Sequence, residues 1–253
     1  MTDDWQPVKS ADRTLEILER LAAHPGRSLV ELARELDIPK SSLHGILRTM
    51  ARRGWVETDP TGTRFGLGMR ALQVGAAYLE ADDAVGMLSA VLDRLAAELG
   101  ETVHLGRLDG PNVVYMAKRE SIHPLRLYSA IGRHLPAHAT ALGKALLAGL
   151  SPAAVDALLP RPLAALTPHT ITDPAALRTE LDAIARQGWS IDRQENTEGI
   201  VCFAMTVPLR TPATDAISIS IPAARVTAST QEKVLDVLRS ALGGVRAARA
   251  LLS

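Results

Sequence analysis

The chain predicts an α+β protein in two parts, on three observations. From Ser10 to Arg70, apolar side chains recur at helical spacing and the pattern closes on a strand–turn–strand signal. Beyond Gly100, short alternating runs that read as strands are interspersed with helix starts and stops. Hydrophobic residues make up 47% of the 253 positions, enough for a core in each part. Aromatics are only 3%, so those cores must be built from Leu, Ala, Val and Ile.

Lys+Arg and Asp+Glu both number 28, so bulk charge does not suggest a polyanion partner. The distribution does. Between Lys40 and Arg70, the bases Lys40, Arg48, Arg52, Arg53, Arg64 and Arg70 face only Glu57 and Asp59. A basic stripe in a neutral chain suggests a localised polyanion contact, or else a solvated helix face. The single cysteine, Cys202, rules out an internal disulfide. The acidic start Met1-Thr-Asp-Asp4 lacks a signal-peptide pattern, and no apolar run approaches the ~20 residues of a membrane span. The expectation is a cytoplasmic protein without membrane contact.

Ser10 is placed to cap a first helix with Leu15, Ile17, Leu18 and Leu21 on its apolar face, ended by Pro25-Gly26. Ser28-Leu-Val-Glu31 reads as a capping box opening a short second helix through Leu36. After the Asp37-Ile-Pro-Lys40 turn, Ser41 is placed to cap a third helix running to Arg53, with Gly54 as its stop. Leu43, Ile46, Leu47 and Met50 form one apolar stripe on that helix. Its other side carries Ser41, Ser42, His44, Gly45, Arg48, Thr49 and Arg52, with no carboxylate. Such a face suits a major groove, because small residues allow close approach and Arg, Ser and Thr reach phosphates and base edges. Trp55–Thr58, the turn Asp59–Gly62 and Thr63–Leu67 then read as a β-hairpin wing with Arg64 near its tip. Helix, helix, turn, helix, hairpin is the order of a winged helix-turn-helix. A protein-binding module of the same shape is the alternative.

Met69–Tyr78 reads as a connecting helix through Leu72, Ala76 and Leu79, and Val85–Leu99 as a second, stopped by Gly100. Thr102–Leu108 and Val113–Lys118 read as strands about the Asp109–Asn112 turn, and Leu125–Ser129 as a third. His138–Leu150 reads as a helix. Ser151-Pro152 and Asp173-Pro174 each place a cap before a proline, and the second helix ends at Gly188. Trp189–Arg193, Val201–Leu209 and Ala216–Ile221 read as strands, and Ser229-Thr-Gln-Glu232 as the box opening the last helix. In Ala216–Ile221, alternation sets Ser218 and Ser220 on one strand face and the isoleucines on the other. That pattern fits a polar-lined cavity or a solvent-facing edge strand.

These segments resemble the IclR family of bacterial transcriptional regulators. The resemblance rests on Leu15-Glu-Ile-Leu18, Leu29-Val-Glu-Leu-Ala-Arg34, Pro39-Lys-Ser-Ser-Leu-His44, Gly54-Trp-Val-Glu57 and Leu67-Gly68 in the first part. In the second it rests on Leu135-Pro-Ala-His138, Ala141-Leu-Gly-Lys-Ala-Leu-Leu147, Gly199-Ile-Val-Cys-Phe-Ala204 and Ile217-Ser-Ile-Ser220. The stretch His44–Thr49 resembles the branch that includes glycerol-operon repressors. Many members carry Arg directly after the His, where this chain has Gly45.

The resemblance implies a DNA-binding domain over 8–68, a linker helix over 69–83 and a GAF-like α/β effector-binding domain over 84–253. DNA contacts fall to Lys40, Ser41, Ser42, His44, Arg48, Thr49, Arg52 and Arg64. The family's ligand-contacting residues fall on Asp192, Cys202, Ser218 and Ser220, with amides near Ala141 and Leu142 and apolar flanks Leu127 and Leu135. A dimer, or dimers paired into a tetramer, would read an inverted-repeat operator and respond to a small organic acid, with no cofactor.

Two sharper readings compete. Cys202, His138 and Asp192 could form a hydrolase set, although a nucleophilic Cys prefers a helix N-terminus to a strand. His134 and His138, with His123 and Cys202, could hold a metal, although Pro136 argues against one helix carrying both histidines. Gly143-Lys144 lacks the remaining P-loop residues, and Gly66-Leu67-Gly68 is too short for a dinucleotide fingerprint.

Overall fold

The structure, a computed structural model, describes residues 6–124 and 129–252. It divides into two compact units, one up to Ala81 and one from Asp82 onward. In the first, α1 (Lys9–Ala23) leads to β1 (Arg27–Ser28), α2 (Leu29–Glu35), α3 (Lys40–Arg52), β2 (Val56–Thr58), β3 (Arg64–Leu67) and α4 (Met69–Glu80). Ser28 and Glu31 form the capping box: the Glu31 amide donates to Ser28 Oγ and the Ser28 amide to Glu31 Oε2 at 2.8 Å. Ile17, Leu21, Leu32, Ile38, Leu43, Leu47, Met50 and Val56 close a single core.

Four local expectations need correction here. α1 begins at Lys9, and Ser10 lies inside it, its carbonyl accepting from the Thr14 hydroxyl. Leu15, assigned to the buried face, is 58% exposed, because Ile17 and Leu21 already fill the contact. α3 starts two residues early, behind Pro39, so Ser41 is a first-turn residue rather than the cap. The hairpin gains a third strand: β1 pairs with β3, Ser28 opposite Arg64. A two-residue strand carries no readable period, which is why the sequence hid it.

The second unit runs α5 (Asp83–Leu99), β4 (Thr102–Asp109), β5 (Asn112–Arg119), β6 (His134–Pro136), a 3-10 turn (Ala137–Ala139), α6 (Ala141–Leu147), α7 (Pro152–Leu158), α8 (Pro174–Gln187), β7 (Ser190–Arg193), β8 (Ile200–Thr206), β9 (Asp215–Pro222), a second 3-10 turn (Ala223–Arg225) and α9 (Ala228–Leu252). The strands make one antiparallel sheet in the order β6-β5-β4-β9-β8-β7. α5 packs on β4 and β5 and α9 on β8, while α6 packs on β4, β7, β8 and β9, with α8 against it. Gly100 and Gly188 end α5 and α8 in the left-handed region, φ 68 and 80. Asp82, Ser151 and Asp173 each cap the helix that follows.

The expected helix His138–Leu150 is shorter. It starts at Ala141, capped by Thr140, whose Oγ1 accepts from the Gly143 amide at 3.0 Å, and His138 lies in the 3-10 turn. β8 ends at Thr206, because Val207 turns to donate to the Asp215 carbonyl. At α9, Thr227 rather than Ser229 accepts the amide of Thr230. Of the expected strand Leu125–Ser129, all but Ser129 lies outside the described residues.

α6 lies very close to its neighbours. A Cβ at Gly143 would stand 2.1 Å from the Ala137 carbonyl oxygen, and one at Gly106 would stand 2.7 Å from Leu142. Only glycine fits at Gly143, since the obstacle is backbone. Gly143→Ala is therefore expected to cost at least about 2 kcal/mol in urea unfolding followed by circular dichroism. Gly45→Ala, with nothing within 4 Å of the new carbon, is expected to gain about 0.5–1 kcal/mol. Equal stability of the two variants would refute this packing.

Candidate DNA-contact face and effector cavity

α3 buries Leu43, Leu47 and Met50, and so turns Lys40, Ser41, Ser42, His44, Arg48, Thr49 and Arg52 outward. No ion pair among the described residues engages Lys40, Arg48 or Arg52. Thr49 Oγ1 donates back to the Gly45 carbonyl at 3.0 Å, so its methyl group is left for contact, a shape suited to a thymine methyl. Around Gly45 the surface is open. The wing turn is held by Asp59, whose carboxylate accepts from Thr61 Oγ1 at 2.6 Å and from the amides of Thr63 and Arg64 at 3.0 Å. Those bonds hold its carboxyl below the usual range. Arg64 stands beside that turn, but its guanidinium leans inward and donates to the Gly26 carbonyl at 2.7 Å. It remains 58% exposed.

In the second unit, sheet register brings distant residues into rows. Asp192 pairs with Cys202, Cys202 with Ser220 and Ser220 with Thr102; one step along, Ala204 pairs with Ser218 and Ser218 with His104. Leu135, Ala141, Leu142, Asp192, Cys202 and Ser218 meet around one cavity, together with Tyr115, Thr140, Asn196, Thr197 and Ile200. Ser220 is not among these lining residues. Its hydroxyl accepts from Cys202 Sγ at 3.2 Å. Leu127 lies outside the described residues. The cavity holds only about 20 Å³, room for about one water, so α6 and the loop after β7 are closed upon it. A larger groove of about 760 Å³ passes Trp189, Pro208 and Thr211, but it is open to solvent and carries none of the expected residues.

The loop after β7 is shaped by Asp192, whose Oδ1 accepts from the Glu195 amide at 2.6 Å and the Asn196 amide at 3.4 Å. Burial nevertheless pushes its carboxyl up to about 7. A raised native value makes the protonated form the stable one. The stability that this proton confers is complete below about pH 4 and is lost as pH rises through about 7. Lys144, fully buried on α6, donates to Glu195 Oε1 at 2.6 Å and Glu180 Oε1 at 3.2 Å. It is a structural ion pair, the role the sequence left unassigned.

The cysteine geometry is not that of a nucleophile. Burial pushes the Cys202 thiol up, which disfavours the thiolate, and its partner is Ser220. His138 Nε2 is bonded instead to the Ala164 carbonyl at 3.0 Å. His134 Nε2 faces Asp109 at 3.2 Å, so the two histidines serve separate partners. Among the described residues no three His, Cys, Asp or Glu converge as a metal site. Sequence reasoning missed the lining residues Tyr115, Thr140, Asn196, Thr197 and Ile200, and His104, which stacks behind Tyr115.

Comparison with known proteins agrees with this architecture. Residues 10–60 match the family model described as IclR helix-turn-helix domain, and residues 76–245 that of bacterial transcriptional regulator IclR C-terminal. The HTH-type transcriptional regulator BhcR of Paracoccus denitrificans is 34% identical over 227 residues, 89% of this chain and 81% of that protein. The transcriptional repressor IclR of Escherichia coli is 34% identical over 226 residues, 87% of this chain and 82% of that one. The glycerol operon regulatory protein of Streptomyces griseus is 31% identical over 221 residues, covering 87% of each. An IclR homologue from Microbacterium hydrocarbonoxydans, solved with 4-hydroxybenzoate, shares the fold with a TM-score of 0.79 at 22% identity, covering 93% of this chain and 97% of that one. Two family domains in order over most of the length make this chain a member of the IclR family, a DNA-binding transcriptional regulator with an effector-binding C-terminal domain.

Proposed function

We propose that residues 8–68 grip operator DNA, that 69–83 link the domains, and that 84–253 sense a small organic acid whose binding changes operator affinity. The observation that carries this reading is the convergence of Leu135, Ala141, Leu142, Asp192, Cys202 and Ser218 on one cavity. The 4-hydroxybenzoate in the Microbacterium homologue is itself an acid bearing a hydroxyl. Here Ser218 and the first amides of α6 would receive the carboxylate, and Asp192 the ligand's hydroxyl. The cavity must open to admit such a molecule.

Arg48 and Arg52 are assigned to phosphates, with Lys40, Ser41, Ser42, His44 and Thr49 around them. Arg48→Ala and Arg52→Ala should each lower the slope of log K against log salt by ~0.9 on a generic DNA duplex. Arg64→Ala should cost less, because Arg64 must first leave the Gly26 carbonyl. Fluorescence anisotropy at several salt concentrations measures this, and an unchanged slope in the double variant of Arg48 and Arg52 would sink the assignment.

An acid bound beside Asp192 must raise that carboxyl further, so binding above pH 7 should draw in a proton and weaken as pH climbs. Calorimetry with 4-hydroxybenzoate at pH 8, in two buffers of different ionisation heat, should show the uptake. Asp192→Asn should abolish it. Binding without proton uptake would remove Asp192 from the site.

Assembly follows from α4, which buries none of its side chains within its unit: Met69, Leu72, Val74 and Tyr78 are all more than half exposed. An apolar helix in water calls for a partner, and a second copy would supply both the cover and the second half-site reader. We infer a homodimer or a tetramer on an inverted-repeat operator. Light scattering at micromolar concentration should give an even-numbered oligomer, reduced towards monomer by Leu72→Glu with Tyr78→Glu; a wild-type monomer would overturn it.

A further inference from the structure

Ser218 and Ser220 are equivalent by alternation, yet their surroundings differ. Ser218 faces the cavity. Ser220 Oγ accepts from Cys202 Sγ at 3.2 Å and lies 3.4 Å from His104 Nδ1. His104 is fully buried; its Nε2 lies 2.7 Å from Ser129 Oγ, and its ring stacks on Tyr115 with centroids 4.2 Å apart. Tyr115 in turn lines the cavity. Lys118 Nζ donates to the Ser129 carbonyl at 2.8 Å and pairs with Glu120 at 2.7 Å, so both charges act on the ring. Burial, then Lys118, drive the imidazole down to about 3, so it stays neutral and carries one proton.

Either ring nitrogen can carry that proton, since both contacts fit either tautomer. The Ser220 oxygen accepts from the thiol, and Nδ1 lies within reach of its own proton. With the ring proton on Nε2, Nδ1 accepts from Ser220 and Nε2 donates to Ser129, and the chain of bonds runs one way from Cys202 to Ser129.

We propose that His104 is a positioning residue that decides what the cavity offers a ligand: its Nδ1 accepts a hydrogen bond from the Ser220 hydroxyl and leaves Ser218 as the serine that donates. This rests on the cavity being the effector site, and it makes ligand preference depend on a residue that never touches the ligand. Replacing His104 by an apolar group would free the Ser220 proton and add a second donor beside Cys202.

Two measurements on the full chain test it. Two-bond nitrogen–proton NMR on protein with labelled histidine reads the ring without any ligand, the signal being assigned by its loss in His104→Gln. A neutral ring with its proton on Nε2, unchanged from pH 5.5 to 8, is expected; a proton on Nδ1, or a ring that titrates in that range, would overturn the proposal. Calorimetry with 4-hydroxybenzoate, glycolate and lactate reads the cavity. Ser218→Ala should weaken whichever acid binds by at least ~10-fold and Ser220→Ala by less than ~2-fold. His104→Leu should change the order of preference among the acids, and His104→Asn, which keeps an acceptor near Nδ1, should restore it. Equal losses at the two serines would refute the inequality. If none of these acids binds the wild type, the reading of the cavity as a site for such acids fails, while the tautomer result still decides the role of His104.

Discussion

Everything in the sensing domain hangs on the buried ammonium of Lys144. It sits on α6 with no exposed surface, and its charge is met by Glu195 from the loop after β7 and Glu180 from α8. A charge out of water is tolerable only when paired, and removal of one partner from such a pair typically costs about 3–5 kcal/mol. The pair therefore holds three elements in one geometry: the helix whose start borders the cavity, the loop that covers it, and the helix behind.

Two glycines let α6 approach its neighbours closely. Gly143 lets the helix rest against the Ala137 carbonyl, and Gly106 makes room on the sheet for Leu142. Ser190 Oγ adds a bond to the Ala141 carbonyl at 2.5 Å. The space left between helix and sheet is small, and that smallness sets its electrostatics. Asp192 loses its water and takes a raised proton affinity, even though two backbone amides favour its ionised form. Desolvation outweighs the hydrogen bonds here, and the charge of Glu195 adds to it while Lys144 acts the other way.

The DNA-contact unit works by the opposite rule. Its core is closed by eight apolar residues from helices and wing, and its contact face gains nothing from burial. Small polar residues stand in water on α3 beside Arg48 and Arg52, which no ion pair among the described residues engages. Helix α4 shares that openness on its apolar side. The sensing domain stores its chemistry in a dry interior, whereas this unit displays it.

The sequence by itself determined the order of elements, because periodicity and caps are local. Ser28 with Glu31, Asp173 before Pro174 and the glycines after α5 and α8 act within a turn or two of chain, so their signals survive without tertiary context. Strand alternation also marked Ser218 and Ser220, and the family resemblance added Asp192 and Cys202. Short or shared features escaped it. β1 has two residues, Leu15 lies on the correct stripe of α1 but finds no partner, and the caps at Ser10, Ser41 and Ser229 lost to neighbours whose backbone geometry suited the turn better. What only the tertiary structure decided is long-range pairing. That Lys144 would meet Glu195, that His104 would stand behind Ser220, and that two identical serines on one strand would have different neighbours depends on residues 51 and 116 positions apart being brought into contact by sheet register and helix packing. No local pattern encodes such a meeting, because each side chain's chemistry is set by neighbours that the chain supplies from elsewhere.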